Sequence, residues 1–296
     1  MLLLCFDILS KRLIFMEKQK RLVTVNDISG FGKCSLTVAL PLISAAGIET
    51  VCLPTAVLST HTGGFEGYTY RDLTDDIPKI AEHWKSIGIS FDAIYSGFLG
   101  SFRQVSMVKD FVKEFKKEST LYIADPCMAD FGKMYSVFDK KFAKEMTSLC
   151  ALADIILPNI TEACFMTDTQ YISGVQSREY IETLLKKLSA LGSKNVILTG
   201  VSFEKGKLGA ASFDGKEISY YFNDELEGTF HGTGDVFTCA FTDAILTGFS
   251  IKDAVRIAVD FTFDCIKRTK LSTPDTRYGV DFERGIPYLL KELKLL

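Results

Sequence analysis

The sequence predicts an α/β fold with a mostly parallel central sheet, helices on both of its faces and a β-hairpin in its C-terminal half. Three observations carry this. Short β-branched and apolar runs alternate with segments of helical periodicity along almost the whole chain. Several runs, such as "ADIILPN" (153–159) and "KNVILTG" (194–200), are continuously apolar, as strands buried on both faces are. Each ends in polar residues or glycine, with a helical segment before the next.

The elements follow in order. "RLVTVND" (21–27) reads as the first strand, followed by a helix from Cys34 to Ala46 that stops at Gly47. "ETVCLPT" (49–55) is a second strand, and "YRDLTDDIPKIAEHWKSIG" (70–88) has helical spacing after a glycine-rich loop. "FDAIYSGF" (91–98) is a strand, "QVSMVKDFVKEFKKE" (104–118) an amphipathic helix whose charge run forms a solvated face, and "TLYIADP" (120–126) a buried strand. "LGAASFD" and "EISYYFN", joined around Asp214-Gly215, make the hairpin. Helices from Thr233 to Leu246 and from Lys252 to Arg268 close the fold. No repeat, low-complexity stretch or long linker divides the chain, so residues 16–296 are expected to form a single domain. The first 15 residues, "MLLLCFDILSKRLIF", precede a second methionine, Met16. They lack the basic start, long apolar run and small-residue cleavage site of a secretory signal, and they are too short and interrupted to cross a bilayer. An extension, disordered or from an upstream start codon, is expected there; a membrane-attaching helix is the rival reading.

Composition bounds the function. A chain of 296 residues with 47% hydrophobic content can bury a large core. A net charge of −3 and a pI near 5.8 argue against nucleic-acid or membrane-surface partners, which call for a basic face. Eight scattered cysteines and three histidines contain no CxxC pair and no zinc-ligand spacing. They read as free thiols in a reducing cytosol.

In such a fold ligands bind at the carboxyl ends of the strands, here Asp27, Thr55, Gly97, Asp125, Asn159 and Thr199. "ADPCMAD" adds Asp130, and "PNITEA" adds Glu162 three residues after Asn159. That spacing makes a capping box. It also suits a carboxylate set around magnesium and its waters, and both readings stand. "FHGTGDVFTCAFTDAIL" (230–246) is the most informative stretch. Gly232 and Gly234 flank Thr233 at a helix start, leaving backbone N–H groups for an anion. Asp235 in that first turn either complements the helix dipole or serves as a general base. "DISGFGKCS" (27–35) fails as a P-loop, with Asp27 at the first glycine position and Cys34 after Lys33 where a hydroxyl residue belongs. No complete GxGxxG follows the first strand, which argues against a nicotinamide-binding Rossmann enzyme. His61 and His231, beside glycines, belong to site loops, whereas His83 beside Trp84 is structural or solvated. Cys127 is a lone thiol in the metal-side loop without an evident activator.

The "GTGD", "ADP" and "LPNITEA" elements resemble the ribokinase-like small-molecule kinases, and specifically their vitamin B6 branch, the pyridoxal kinases. "LSTHTGGF" (58–65), "YSGFLGS" (95–101) and "ADPCMADFGKMY" (124–135) are similar to that branch's vitamin pocket, aromatic strand end and flap. The resemblance runs from about residue 21 to the C-terminal helices. It implies a three-layer α/β/α fold that phosphorylates the 5′-hydroxymethyl group of pyridoxal, pyridoxine or pyridoxamine with ATP. It implies Asp235 as base and Gly232, Thr233 and Gly234 as the anion hole. Asp125, Asn159 and Glu162 would serve metal and nucleotide, with Asp125 and Glu162 on magnesium, and Asp130, Tyr135 and Thr199 along the nucleotide. Asp27, His61, Thr62 and Phe98 would surround the vitamin. Potassium as a monovalent cation, a homodimer and a cytoplasmic location are implied too.

There are departures. Asp27 stands where serine is usual, Phe98 where tyrosine is, and Leu157 where a hydroxyl residue is. "SGFGK" and His231 are closer to the hydroxymethylpyrimidine kinases of thiamine synthesis, although that branch usually has cysteine in place of Asp235 and glutamine in place of Thr60. A pyrimidine kinase, a bifunctional kinase and a non-catalytic vitamin-binding protein are the alternatives.

Overall fold

The computed structural model of the protein describes residues 18–273 and 275–296, so the expected 1–15 extension lies outside the described residues. The strands are β1 (Arg21–Ser29), β2 (Glu49–Leu58), β3 (Tyr70–Asp72), β4 (Ala93–Ser96), β5 (Leu121–Ala124), β6 (Ala129–Asp130), β7 (Lys133–Met134), β8 (Ile155–Ile156), β9 (Asn195–Val201), β10 (Lys207–Phe213) and β11 (Ile218–Asp224). Nine of them form one sheet in the order β11-β10-β9-β8-β5-β4-β1-β2-β3, and β6 and β7 pair separately as a small hairpin. From β2 to β9 neighbours run parallel; β3, β10 and β11 add antiparallel edges.

Side-chain alternation along the strands divides the core between two faces. Val23, Val25, Ile94 and Tyr122 point to the face covered by α2 (Ile77–Ser86), α3 (Phe102–Phe115), α4 (Lys140–Cys150), α5 (Ile160–Thr167) and α6 (Arg178–Ser189). Leu22, Ala93, Tyr95 and Ile123 point to the other, covered by α1 (Leu36–Ala45), α7 (Thr233–Leu246), α8 (Ile251–Ser272) and α9 (Ile286–Glu292). This is the three-layer arrangement anticipated from the alternating pattern. Among the described residues no helix is long and apolar enough to cross a membrane.

One stretch departs from expectation. Residues 70–88 do not form one helix: Tyr70–Asp72 pairs antiparallel with β2, and only Ile77–Ser86 is helical. The Asp72 carboxylate accepts the Thr74 N–H at 2.6 Å, an Asx-type turn that ends the strand, and Pro78 then opens the helix. Strand 153–159 contracts to Ile155–Ile156 because Pro158 and the Asn159 cap end it. Where β1 passes β2 the register shifts between Asn26 and Ile28, and such irregularities re-aim side chains at sheet rims. Asp27 sits at that shift.

Candidate active site

The carboxyl ends of the parallel strands bring Asp27, Phe98, Asp125, Asn159 and Thr199 to one rim, and Thr199 bridges Asn159 in parallel fashion. The N-terminus of α7 lies over this rim. Its N-cap is Gly232, at φ 77°, with no side-chain capping bond. A Cβ there would lie 2.1 Å from the Lys33 carbonyl oxygen, so both conformation and space require glycine. Nothing lies within 4 Å of a Cβ built on exposed Gly234. First-turn N–H groups have no intrahelical acceptors, and here no capping side chain takes them up. Burial pushes the Asp235 carboxyl up to about 7; the Asp125 and Asp27 charges add to the rise, while the Ser35 backbone N–H opposes it.

Asp27 marks the opposite end. It is buried, accepting the Ser35 hydroxyl at 2.6 Å on one oxygen and the Ser29 hydroxyl at 2.8 Å on the other. Burial raises its proton affinity against these two donors. Buried His61 has both ring nitrogens engaged. Nδ1 accepts the Gly63 N–H at 3.1 Å, which leaves the proton on Nε2 to bond the Arg277 carbonyl at 2.7 Å. Its ring also lies 4.8 Å from that of His231 and 4.9 Å from that of Phe65. His61 therefore ties the 61–65 loop to the C-terminal segment. His83 is exposed on α2.

At the third corner the capping box is formed: Asn159 Oδ1 accepts the Glu162 N–H, and Glu162 Oε2 the Asn159 N–H, both at 2.9 Å. The other Glu162 oxygen accepts the Met128 N–H at 3.0 Å, and Asn159 Nδ2 bonds the Ala129 carbonyl at 2.8 Å. Both contacts seat the β6–β7 hairpin. Asp125 accepts the Thr238 hydroxyl at 3.1 Å. Burial holds both carboxyls above the usual carboxylate range, and the Asp125 charge pushes Glu162 further. Among the described residues, all their hydrogen-bond partners are neutral. Two mutually repelling acids without a cationic side chain suit a divalent cation. No group of three or more His, Cys, Asp or Glu side chains among the described residues forms a metal cage.

Asp130 and Tyr135 lie exposed on and after the β6–β7 hairpin, whose tip residue Phe131 has φ 49°. Tyr135 OH is 4.0 Å from the Cys127 sulfur, and burial keeps that thiol protonated. Phe98 is half-buried against Phe138, and Thr62 is exposed on its loop. Lys33 does not point at a phosphate site; its Nζ binds Glu283 at 2.8 Å. Sequence reasoning missed Ser29, Ser35 and Thr238, the hydroxyl partners of the site acids, and the Arg277–Tyr278 segment. Thr238, three residues after Asp235 in a helix, shares its face and could have been found.

A phosphomethylpyrimidine kinase family model matches residues 40–279. A Bacteroides thetaiotaomicron protein solved as a candidate phosphomethylpyrimidine kinase is 37% identical, with a TM-score of 0.89 over 93% of this chain and 96% of its own. A second crystal form of it contains pyridoxal. The pyridoxal kinase of Lactobacillus plantarum is 26% identical, with a TM-score of 0.85 over 93% of this chain and 98% of its own. A candidate pyridoxal kinase of Schizosaccharomyces pombe is 29% identical over 159 residues, 51% of this chain and 45% of the relative, so that match spans less than half of its length. With residues 40–279, most of its length, matched by the family model and the fold shared with the Bacteroides protein, the chain belongs to the phosphomethylpyrimidine kinase family.

Proposed function

We propose that the protein transfers the γ-phosphoryl group of ATP to the 5′-hydroxymethyl group of pyridoxal, pyridoxine or pyridoxamine. The observation that carries this reading is Asp235. A carboxyl that burial pushes up to about 7 stands in the first turn of a helix whose N-terminus, at Gly232, has no side-chain cap. Such a group is matched to general-base work, and the N–H groups of Thr233, Gly234 and Asp235 are matched to an anion. Asp235 takes the proton of the substrate hydroxyl, its oxygen forms the new bond to the γ-phosphorus, and the bond to the β–γ bridging oxygen breaks, releasing ADP. The helix N-terminus spreads the charge of the transferring group.

Asp125 and Glu162 would hold a magnesium ion, which when bound would neutralise charge on the phosphates. Asn159 and Thr199 line the nucleotide side, and Asp130 and Tyr135 approach it from the β6–β7 hairpin. Asp27 accepts a hydrogen bond from the substrate ring, while Phe98 and Thr62 flank the ring. His61 acts by fixing the loop that carries Thr62, since its own nitrogens are engaged. In this reading the described residues, 18–273 and 275–296, act as one domain. A cytoplasmic location accords with the seven free cysteines among the described residues. Potassium and a homodimer belong to this reading on resemblance alone.

The pyridoxal-containing relative favours the vitamin over a pyrimidine. An ATP-consumption assay against the three B6 vitamers and hydroxymethylpyrimidine tests the choice. Turnover of at least one vitamer should exceed that of the pyrimidine by roughly tenfold, about 1.4 kcal/mol of transition-state preference. Turnover of the pyrimidine alone would assign the protein to thiamine synthesis. Pyridoxal binding without ATP consumption would make it a vitamin-binding protein.

A further inference from the structure

Ser35 occupies the N-cap of α1 but does not behave as several other caps of this chain do. Ser101, Asp139, Ser177 and Ser250 have extended backbone and accept an N–H from the first turn of their helix. Ser35 has φ 54° and ψ −131°, and its side chain makes no capping bond. Its hydroxyl goes to Asp27 at 2.6 Å, while its carbonyl starts the helix by accepting the Val38 and Ala39 N–H groups at 3.1 and 2.9 Å. A residue with a side chain avoids that backbone conformation unless its surroundings impose it. The winding extends back through Lys33 at φ 51° and Gly32 at φ 110°. It presses the Lys33 carbonyl against Gly232, leaving no room for a Cβ on that glycine. A bridge from Ser35 to Ile28 anchors the segment to β1, one residue from Asp27.

We propose that Ser35 is a positioning residue joining the two ends of the pocket: its hydroxyl fixes the Asp27 carboxylate, and its wound backbone holds residues 32–34 against Gly232 at the anion site. This deepens the phosphoryl-transfer reading and rests on it for its kinetic consequences only. The groups facing the Asp27 carboxyl are Ser29, Ser35, the His61 imidazole, Cys34, Tyr70 and Asp235. Of these, Ser35 is the strongest donor favouring the ionised form.

Ser35→Ala and Ser35→Gly separate the two roles, since both lose the hydroxyl and only glycine relaxes the backbone. The ¹³C resonance of the Asp27 carboxyl, assigned by its loss in Asp27→Asn, should titrate at higher pH in both variants than in the wild type. KM for the vitamer should rise about tenfold or more in both, as loss of a hydrogen bond to a charged group predicts. The glycine variant should melt above the alanine variant, yet lose about a further tenfold in kcat because the 32–34 loop is no longer pinned. Unchanged Asp27 titration and KM would reduce Ser35 to a helix start. Equal kcat in the two variants would sever the link to Gly232. A wild type inactive on every vitamer would remove the proposed function and leave the titration and melting comparisons standing.

Discussion

The helices α5 and α7 both begin at the ligand rim, and their N-termini are finished in opposite ways. At α5, Asn159 and Glu162 take up each other's backbone N–H groups, and Glu162 also holds Met128. At α7, Gly232 offers no side chain, and the first-turn acid Asp235 is left out of any cap. The same helix dipole thus stabilises structure at one end of the pocket and stays available for ligand charge at the other. A carboxylate in a first turn is therefore not a functional signal until its hydrogen-bond partners are known.

Filling the open end should have the largest effect. Gly232→Ala places a methyl on the Lys33 carbonyl and forces a positive φ, so kcat/KM in a steady-state assay should fall roughly 100-fold or more, the scale of losing an anion-hole donor. Turnover within a fewfold of wild type would mean that the open N-terminus is not the phosphoryl site. The next effect is on stability. Asp235 binds its proton more tightly folded than unfolded, so its stabilising contribution is complete below about pH 4 and is lost as pH rises through about 7. Asp235→Asn should accordingly melt above wild type at pH 8 and no higher than wild type at pH 4; a variant no more stable at pH 8 would remove the buried-acid account. Closing bonds at α5 matter less. Asn159→Ala should cost about 0.5–2 kcal/mol in urea denaturation, the worth of an N-cap. No loss would show the capping box to be idle. Smallest of all, Lys33→Ala should leave KM for ATP within about twofold, because the ammonium is paired with a carboxylate of the C-terminal segment. A tenfold rise would restore Lys33 as a phosphate ligand.

The parallel sheet was legible because doubly buried strands read as continuous apolar runs, and α7 was legible to the residue, Thr233–Leu246. Strand β3 was not: its three residues Tyr70–Asp72 are exposed, carry no alternation, and owe their state to pairing with β2. The acids and glycines of the candidate site were visible from strand ends and helix starts. Their partners were not, since the local sequence does not reveal that a serine at an N-cap turns away from its helix. The His61 bond to Arg277 spans 216 positions in sequence and no local pattern announces it. Pairing within one helix turn, as in the Asn159–Glu162 box, is readable; pairing across the fold is not.

The central claim is that Asp235 activates the substrate alcohol at an open helix N-terminus. Steady-state kinetics of Asp235→Asn with pyridoxal and ATP at pH 8 test it most directly. The account predicts kcat lowered roughly 100-fold or more with KM for pyridoxal nearly unchanged. Preserved kcat would contradict it.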